Sequence, residues 1–295
     1  MAFDKQKFLV RTGSAAIFVI VLLGSIFLNY YSFSLLFLII SVWGLLEFYS
    51  LMEKLNTRPD KALGILTGTT LYLWAMASNS EMIAFTGLDL KASGILALVM
   101  IFAFLIFIRQ LFRNDPAPFQ NIAITLGGVF YVSLPFALLN ISSYVFSTLP
   151  DPYTEIPYFT YTYSSSLIFG IFLLIWSNDT FAYLSGSFLG KHKMYERISP
   201  GKTWEGTLGG AVLTLVASFF ISRWFSVLDL SDWMIIAAIV TVIGTLGDLI
   251  ESMLKRSAGV KDSGSIMPGH GGILDRFDSL ILATPFIFTY LYLTR

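Results

Sequence analysis

Nine apolar runs, each at or near the roughly 20 residues that cross a bilayer, limit what this chain can fold into. They cover residues 15–30, 35–51, 62–78, 92–108, 122–141, 166–186, 206–222, 233–252 and 277–293. The third carries Thr67, Thr69 and Thr70 inside it. Backbone groups surrounded by hydrocarbon must bond within their own segment, so runs of this kind fold as helices. Only 13% of the 295 residues are charged and 55% are hydrophobic, against about 25% charged in a soluble domain. The expected fold is an all-α polytopic membrane protein of nine spans, with no separate soluble domain.

The basic residues give this bundle a direction. With the N-terminus inside, the inner segments hold Lys5, Lys7 and Arg11, then Lys54, Arg58 and Lys61, then Arg109 and Arg113. Two later inner loops add Lys191, Lys193, Arg197 and Lys202, then Lys255, Arg256, Lys261 and Arg276. Of the 19 basic residues only Lys91, Arg223 and Arg295 fall outside. Positive loops stay in the cytoplasm, so the expected topology is N-in and C-out, with the C-terminus outside. The first run lacks a small-x-small cleavage site and continues into Asn29, Tyr30 and Tyr31, which reads as a retained span rather than a signal peptide. Cysteine is absent, which excludes disulfides, iron–sulfur clusters and thiolate zinc sites.

The two halves differ in kind. Residues 1–160, spans one to five and an outer loop, contain one carboxylate at membrane depth, Glu47. The loop 144–163 is rich in Tyr, Thr, Ser and Pro and suits a membrane interface. In residues 161–295, spans six to nine, polar residues enter the spans and the inner loops grow long and glycine-rich. Catalysis is expected in this second half.

An ionisable group inside a span costs about 2.5–3.5 kcal/mol on insertion scales, so it needs a partner or a task. Asp179 follows Ser166 by about 20 Å of helix, at 1.5 Å per residue, and Asp248 lies at a similar depth in the eighth span. Asp275 and Asp278 open the ninth from the same side. Three helices thus bring carboxylates to one level. Asp248, Glu251, Ser252 and Lys255 form one stripe of the eighth helix, and Asp275, Asp278 and Ser279 one stripe of the ninth. Spacing leaves two readings open. The carboxylates could cradle Mg²⁺, which takes few protein ligands; or Asp248 could pair with Arg276 or Lys255 and only hold helices together. Asn178, Asp179 and Tyr183 form a polar face within the sixth span, with Glu47 a candidate packing partner.

The densest charge in the chain lies between Ser252 and Asp278. Lys255, Arg256, Lys261, Asp262, His270, Asp275, Arg276 and Asp278 surround a glycine-rich turn, KDSGSIMPGHGG, at 261–272. Glycines permit close backbone approach, and consecutive N–H groups can form a nest for an anion such as phosphate. His270 could orient a phosphate or carry a proton, though a loop histidine alone is more often a bystander. Gly201-Lys202-Thr203 looks like the end of a Walker A loop, but its first glycine should fall at Glu196 and no strand is expected before it, so a P-loop is rejected. Lys202 beside the start of the seventh span still suits phosphate.

These residues, taken together, resemble the signature of the CDP-diacylglycerol synthases, or phosphatidate cytidylyltransferases. The pattern S-x-apolar-K-R, four residues, K-D-x-small, then H-G-G-x-x-D-R-x-D aligns with Ser252, Leu254, Lys255, Arg256, Lys261, Asp262, Gly264, His270, Gly271, Gly272, Asp275, Arg276 and Asp278. Met267 departs from the Leu, Ile or Phe of the family. SNDTFAY at 177–183 and ISPGKTWEGTLGG at 198–210 also resemble family segments. The likeness covers about the last 120 residues, while the earlier spans match in hydropathy alone.

The resemblance implies the reaction CTP + phosphatidic acid → CDP-diacylglycerol + pyrophosphate, in phospholipid biosynthesis at a cell membrane, with the site on the cytoplasmic side. It implies Mg²⁺, with K⁺ as a companion ion, on Asp248 and Asp275. Lys255 joins those two as a catalytic candidate, and Arg256, Lys261 and Arg276 meet phosphates. Lys202, Asp179, Ser252 and His270 complete the expected substrate site. The implied partners are CTP, phosphatidic acid and the lipid bilayer, with no nucleic acid, and a homodimer is allowed for. A CTP-dependent lipid kinase would share parts of the motif. An ion-coupled transporter would place midplane charges and broken helices in both halves, whereas these charges cluster in one half and at one surface.

Overall fold

The computed structural model describes residues 5–78, 92–149, 158–266 and 271–294, and within them each apolar run is a helix. In chain order these are α1 (Lys5–Leu28), α2 (Tyr30–Glu53), α3 (Lys61–Ala77), α4 (Ala92–Phe112), α5 (Pro118–Ser142), α6 (Ser165–Leu189), α7 (Trp204–Trp224), α8 (Leu230–Ser257) and α9 (Leu274–Thr294). Seven of them are long and apolar enough to cross a membrane; α3, at 17 residues, and the apolar part of α1, Thr12–Leu28, are shorter. The protein is an all-helical polytopic membrane protein, as expected. Two small antiparallel hairpins interrupt the helices: β1 (Tyr144–Leu149) with β2 (Tyr158–Tyr163), and β3 (Lys193–Tyr195) with β4 (Ser199–Thr203).

Local chemistry sets several of the boundaries. Asn29 separates α1 from α2: its side chain accepts from Ser32 N at 2.9 Å while its own N–H donates to Ser32 Oγ at 3.2 Å, a capping box. Asp60 caps α3 by accepting from Leu63 N at 3.2 Å. The threonines inside α3 suit an apolar setting because they bond backwards, Thr67 Oγ1 to Leu63 O and Thr70 Oγ1 to Leu66 O, at 2.7 and 2.8 Å. Both α5 and α8 contain a π-helical stretch, Val129–Ser133 and Val240–Gly244.

The bundle has two distinct ends. At one, Asp60 pairs with Arg109 at 2.8 Å, and Asp115 pairs with Arg58 at 3.3 Å and Arg113 at 3.2 Å, so the loops after α2 and α4 are tied together. At the other, Tyr163 Oη donates to Ile26 O at 2.8 Å, fixing β2 to the last turn of α1. Between them, Phe37, Phe136, Phe172 and Phe277 bring α2, α5, α6 and α9 onto one aromatic core, with Phe37–Phe277 centroids 6.0 Å apart and Phe136–Phe277 5.7 Å apart. Such ring pairs contribute about 0.5–1.5 kcal/mol each beyond the area they bury. Phe277 lies between Arg276 and Asp278, so the core itself sets the height of the α9 carboxylates.

α6 and α7 approach closely because small residues line the seam. A Cβ added at Gly210 would stand 2.8 Å from Ala182 Cβ, and one at Gly206 would stand 2.8 Å from Ala182 O. Gly206 and Gly210 are four residues apart and therefore share one face of α7, the small-xxx-small arrangement by which membrane helices meet.

Candidate active site

Where α6 and α7 separate, they border a cavity of about 460 Å³ lined by Asn178, Asp179, Lys202, Thr245, Asp248 and Ser279, among others. Four elements supply these groups: α6, β4, α8 and α9. Lys202 Nζ meets Asp248 Oδ2 at 2.7 Å and donates to Thr245 O at 3.4 Å. The other oxygen of Asp248 accepts from Ser252 Oγ at 3.3 Å, one turn further along α8. Asp278 Oδ1 accepts from Ser279 N at 2.7 Å. Asp179 and Asp278 each sense the charges of Asp248 and Lys202, and Asp179 that of Arg276 as well. Two carboxylates, Asp179 and Asp248, therefore line one polar pocket, and Asp278 stands beside its lining residue Ser279. The π-helical turn Val240–Gly244 lies just upstream, and such single-turn bulges often occur at functional sites.

A second, more deeply buried cluster lies behind this pocket. Lys255 pairs with Glu251, whose side chain is wholly buried, and with Asp275 Oδ1 at 2.6 Å. Asp275 Oδ2 accepts from Ser263 N at 2.8 Å, Ser263 Oγ at 2.9 Å and Gly272 N at 2.8 Å. Glu47 of α2 accepts from Ile273 N at 2.9 Å, Leu274 N at 3.0 Å and Ser263 Oγ at 3.0 Å. Glu47 does not pack against the Asn178–Tyr183 face, the place proposed for it from sequence; it reaches the start of α9 instead. The N–H groups of Ser263, Gly272, Ile273 and Leu274, candidates for a phosphate nest, point at the protein's own carboxylates.

The structure brings Asp179, Lys202 and Asp248 together at the cavity, with Ser252 bonded to Asp248 from one turn further along α8, and Lys255 and Asp275 together behind it. Asp275 and Asp278, one stripe by spacing, divide their work: Asp275 faces Lys255 and Ser263, while Asp278 senses Asp248 and Asp179. The ionic partner of Asp248 is Lys202, rather than the Arg276 or Lys255 considered from spacing. Arg256 is exposed, with Nε donating to Ile198 O at 3.4 Å and a terminal nitrogen to Val260 O at 3.1 Å, so it ties the β3–β4 hairpin to the segment after α8. Lys261 and Arg276 are exposed. His270 and Met267 lie outside the described residues. A strand, β4, does lead from Ser199 to Thr203 into α7, contrary to expectation. It pairs only with the short β3, and Glu196 still stands where the first Walker glycine belongs. Thr203 caps α7 instead, accepting from Gly206 N at 3.1 Å.

From sequence, Asp278 and Glu251 fall on the carboxylate stripes, and Asp278 in the signature, but neither receives a role of its own. Tyr131 lies in the π-helical stretch of α5. The Tyr131 hydroxyl is sealed from solvent, has no hydrogen-bond partner among the described residues, and senses Glu251, Asp278 and Asp248.

A sequence profile described as the cytidylyltransferase family matches residues 9–294. A protein of Bacillus subtilis named phosphatidate cytidylyltransferase is 30% identical over 292 residues, 98% of each chain. One of Staphylococcus saprophyticus with the same name is 32% identical over 288 residues, 94% of this chain and 96% of its own. One of Haemophilus influenzae, also so named, is 42% identical over 147 residues, 48% of this chain and 49% of its own. The polar pocket at the helix ends and a match that runs through all nine helices agree: the chain belongs to the cytidylyltransferase family.

Proposed function

We propose that this enzyme transfers the cytidylyl group of CTP to phosphatidate. An oxygen of the lipid phosphate attacks the α-phosphorus of CTP, the bond from that phosphorus to the bridging oxygen breaks, and pyrophosphate leaves with the electron pair. The product is CDP-diacylglycerol. The observation that carries this reading is the gathering of Asp179, Asp248 and Lys202 around one cavity, with Asp278 next to its lining residue Ser279. A lipid phosphate is already a nucleophile, so no serine or cysteine has to be activated. The protein's task reduces to holding two polyanions in line and offsetting the charge that develops on the departing pyrophosphate.

Two carboxylates at the cavity would serve a divalent cation. Among the described residues no three carboxylate or imidazole groups come together closely enough to hold a metal ion. Asp179 of α6 and Asp248 of α8 line one cavity, and because Mg²⁺ takes few protein ligands and fills the rest from phosphate and water, that pair would suit it, with K⁺ as a companion. Asp248 is central to the set. On α9, Asp278 shares the field of Asp248, while Asp275 would join a metal only by releasing Lys255. When bound, the ion would withdraw charge from the phosphates and the leaving pyrophosphate. Lys202 fixes the Asp248 carboxylate and reaches phosphate; Lys261 and Arg276 offer charge at the rim, where Arg256 holds the hairpin in place.

We place the protein in the bacterial cytoplasmic membrane as nine spans with the N-terminus inside. CTP is made and kept in the cytoplasm, which suits a site at the end richest in basic residues, while the acyl chains of the lipid remain in the bilayer. Purified protein incubated with Mg²⁺, phosphatidate and CTP labelled either in cytidine or in the γ-phosphate tests the reaction. Cytidine label in lipid, with free pyrophosphate, is the expected result. Appearance of the γ-label in lipid, with free CDP, would make it a lipid kinase; absence of both labels from lipid would overturn the proposal.

A further inference from the structure

We infer that Glu47, contributed by the N-terminal half, is a positioning residue that clamps the α9 carboxylates in place for catalysis. This inference rests on the cytidylyl-transfer reading for its kinetic consequences, but its geometry stands independently. Glu47 is 7% exposed and makes no ion pair among the described residues. Its charge is held by Ile273 N, Leu274 N and Ser263 Oγ alone, at 2.9, 3.0 and 3.0 Å. The first two sit at the start of α9, where a helix offers its N–H groups no partner of its own and a negative charge is favoured by the helix dipole. A helix start of this kind is an anion site. Here the anion is internal, so substrate phosphate is directed away from it and toward the basic rim.

Two glycines record how tightly the chain closes on this carboxylate. A Cβ built at Gly264 would stand 2.8 Å from Glu47 Cδ, and one at Gly272 would stand 2.6 Å from Glu47 Oε1. Real side-chain carbons do not approach so closely, so these positions must be glycine while Glu47 keeps its place. Part of the glycine richness of 261–272 therefore serves an internal carboxylate rather than a bound phosphate. Ser263 extends the clamp, since its hydroxyl lies 3.0 Å from Glu47 and 2.9 Å from Asp275 and has one proton to share between them. The chain of contacts runs from α2 through Ser263 to Asp275 and Lys255. It fixes the first turn of α9, and with it Arg276 and Asp278.

Glu47→Gln keeps the shape but turns an amide toward groups that are all donors. With Mg²⁺, CTP and phosphatidate saturating in turn, kcat should fall about 100-fold, the scale of a misplacement near 1 Å, while KM for CTP changes less than about threefold. Hydrogen–deuterium exchange in detergent gives a readout that needs no activity. Amides of Ile273 and Leu274 should exchange faster in Glu47→Gln, with α5 and α6 unchanged. Glu53→Gln, also on α2 but in a surface pair with Lys61, serves as control and should match wild type in both assays. Gly264→Ala and Glu47→Gln break the same contact, so the double variant should be little worse than either single one. If Glu47→Gln does not fold, Ser263→Ala decides, by the same pairing of slower turnover with faster local exchange. Unchanged kcat with unchanged exchange, in whichever variant folds, overturns the inference. Inactive wild-type protein with the exchange effect intact would instead discredit the proposed reaction and leave the clamp standing.

Discussion

Asp275 and Asp278 are three residues apart on one helix, yet their environments give them opposite physical characters. Asp275 answers Lys255 and three hydrogen-bond donors, whereas Asp278 has a single backbone donor among the described residues and lies in the fields of Asp248 and Asp179, opposed by that of Lys202. Removing charge should therefore have opposite effects on stability. Asp275→Asn leaves Lys255 with Glu251 alone and should cost about 3 kcal/mol, the lower end for breaking a buried pair. Asp278→Asn removes a repelled charge and should raise the melting temperature measured in detergent without divalent cation, while activity collapses. A fall in melting temperature for Asp278→Asn would mean that its charge is paired rather than crowded. Asp248→Asn should lower turnover by orders of magnitude, as the one carboxylate joined to both Lys202 and Ser252. Spacing made these residues visible, because polar side chains at intervals of three and four stand out on apolar helices. It could not assign them to separate clusters, since that depends on which neighbour each one meets across the helix packing.

The apolar runs locate all nine long helices among the described residues, including α3, whose Thr67 and Thr70 bond back to its own carbonyls. The π-helical stretches in α5 and α8 were invisible, because one extra residue per turn leaves hydropathy unaltered. The hairpins were hidden too: β3 and β4 are short and polar, and nothing in their composition separates them from a loop. Arg256, expected to meet phosphate, also bonds the backbone carbonyls of Ile198 and Val260, which spacing did not reveal. Arg256→Lys should accordingly reduce activity despite keeping the charge, because an ammonium cannot bridge two separated carbonyls as a planar fork does. Wild-type turnover in that variant would show the bridge to be dispensable. The seam between α6 and α7 gives a sharper test. Gly210→Val pushes a branched side chain toward Ala182 and must part the helices that border the cavity. Lower turnover and a lower melting temperature are expected together, whereas Gly94→Val, on α4 with open space around it, should change neither.

At the scale of the whole molecule, the argument depends on which end of the bundle faces CTP. α7 begins beside Lys202 and the cavity and runs 21 residues, about 31 Å at 1.5 Å per residue, which matches the hydrocarbon thickness of a bilayer. A helix of that length would put its two ends on opposite sides of the membrane. Glu196, exposed in the turn of the β3–β4 hairpin, marks the cavity end, and Ser226, exposed between α7 and α8, marks the other. The chain has no cysteine, so Glu196→Cys and Ser226→Cys each offer a single thiol on a clean background. In sealed right-side-out vesicles an impermeant thiol reagent should modify Ser226→Cys at once and reach Glu196→Cys only after the membrane is opened. Sixteen of the 19 basic residues lie in segments that this arrangement places inside, which is why the direction is expected to hold. Immediate labelling of Glu196→Cys in intact vesicles would turn the cavity away from the cytoplasm. CTP would then have no route to Lys202 and Asp248, and the cytoplasmic placement of the site would have to be given up, whatever the count of spans.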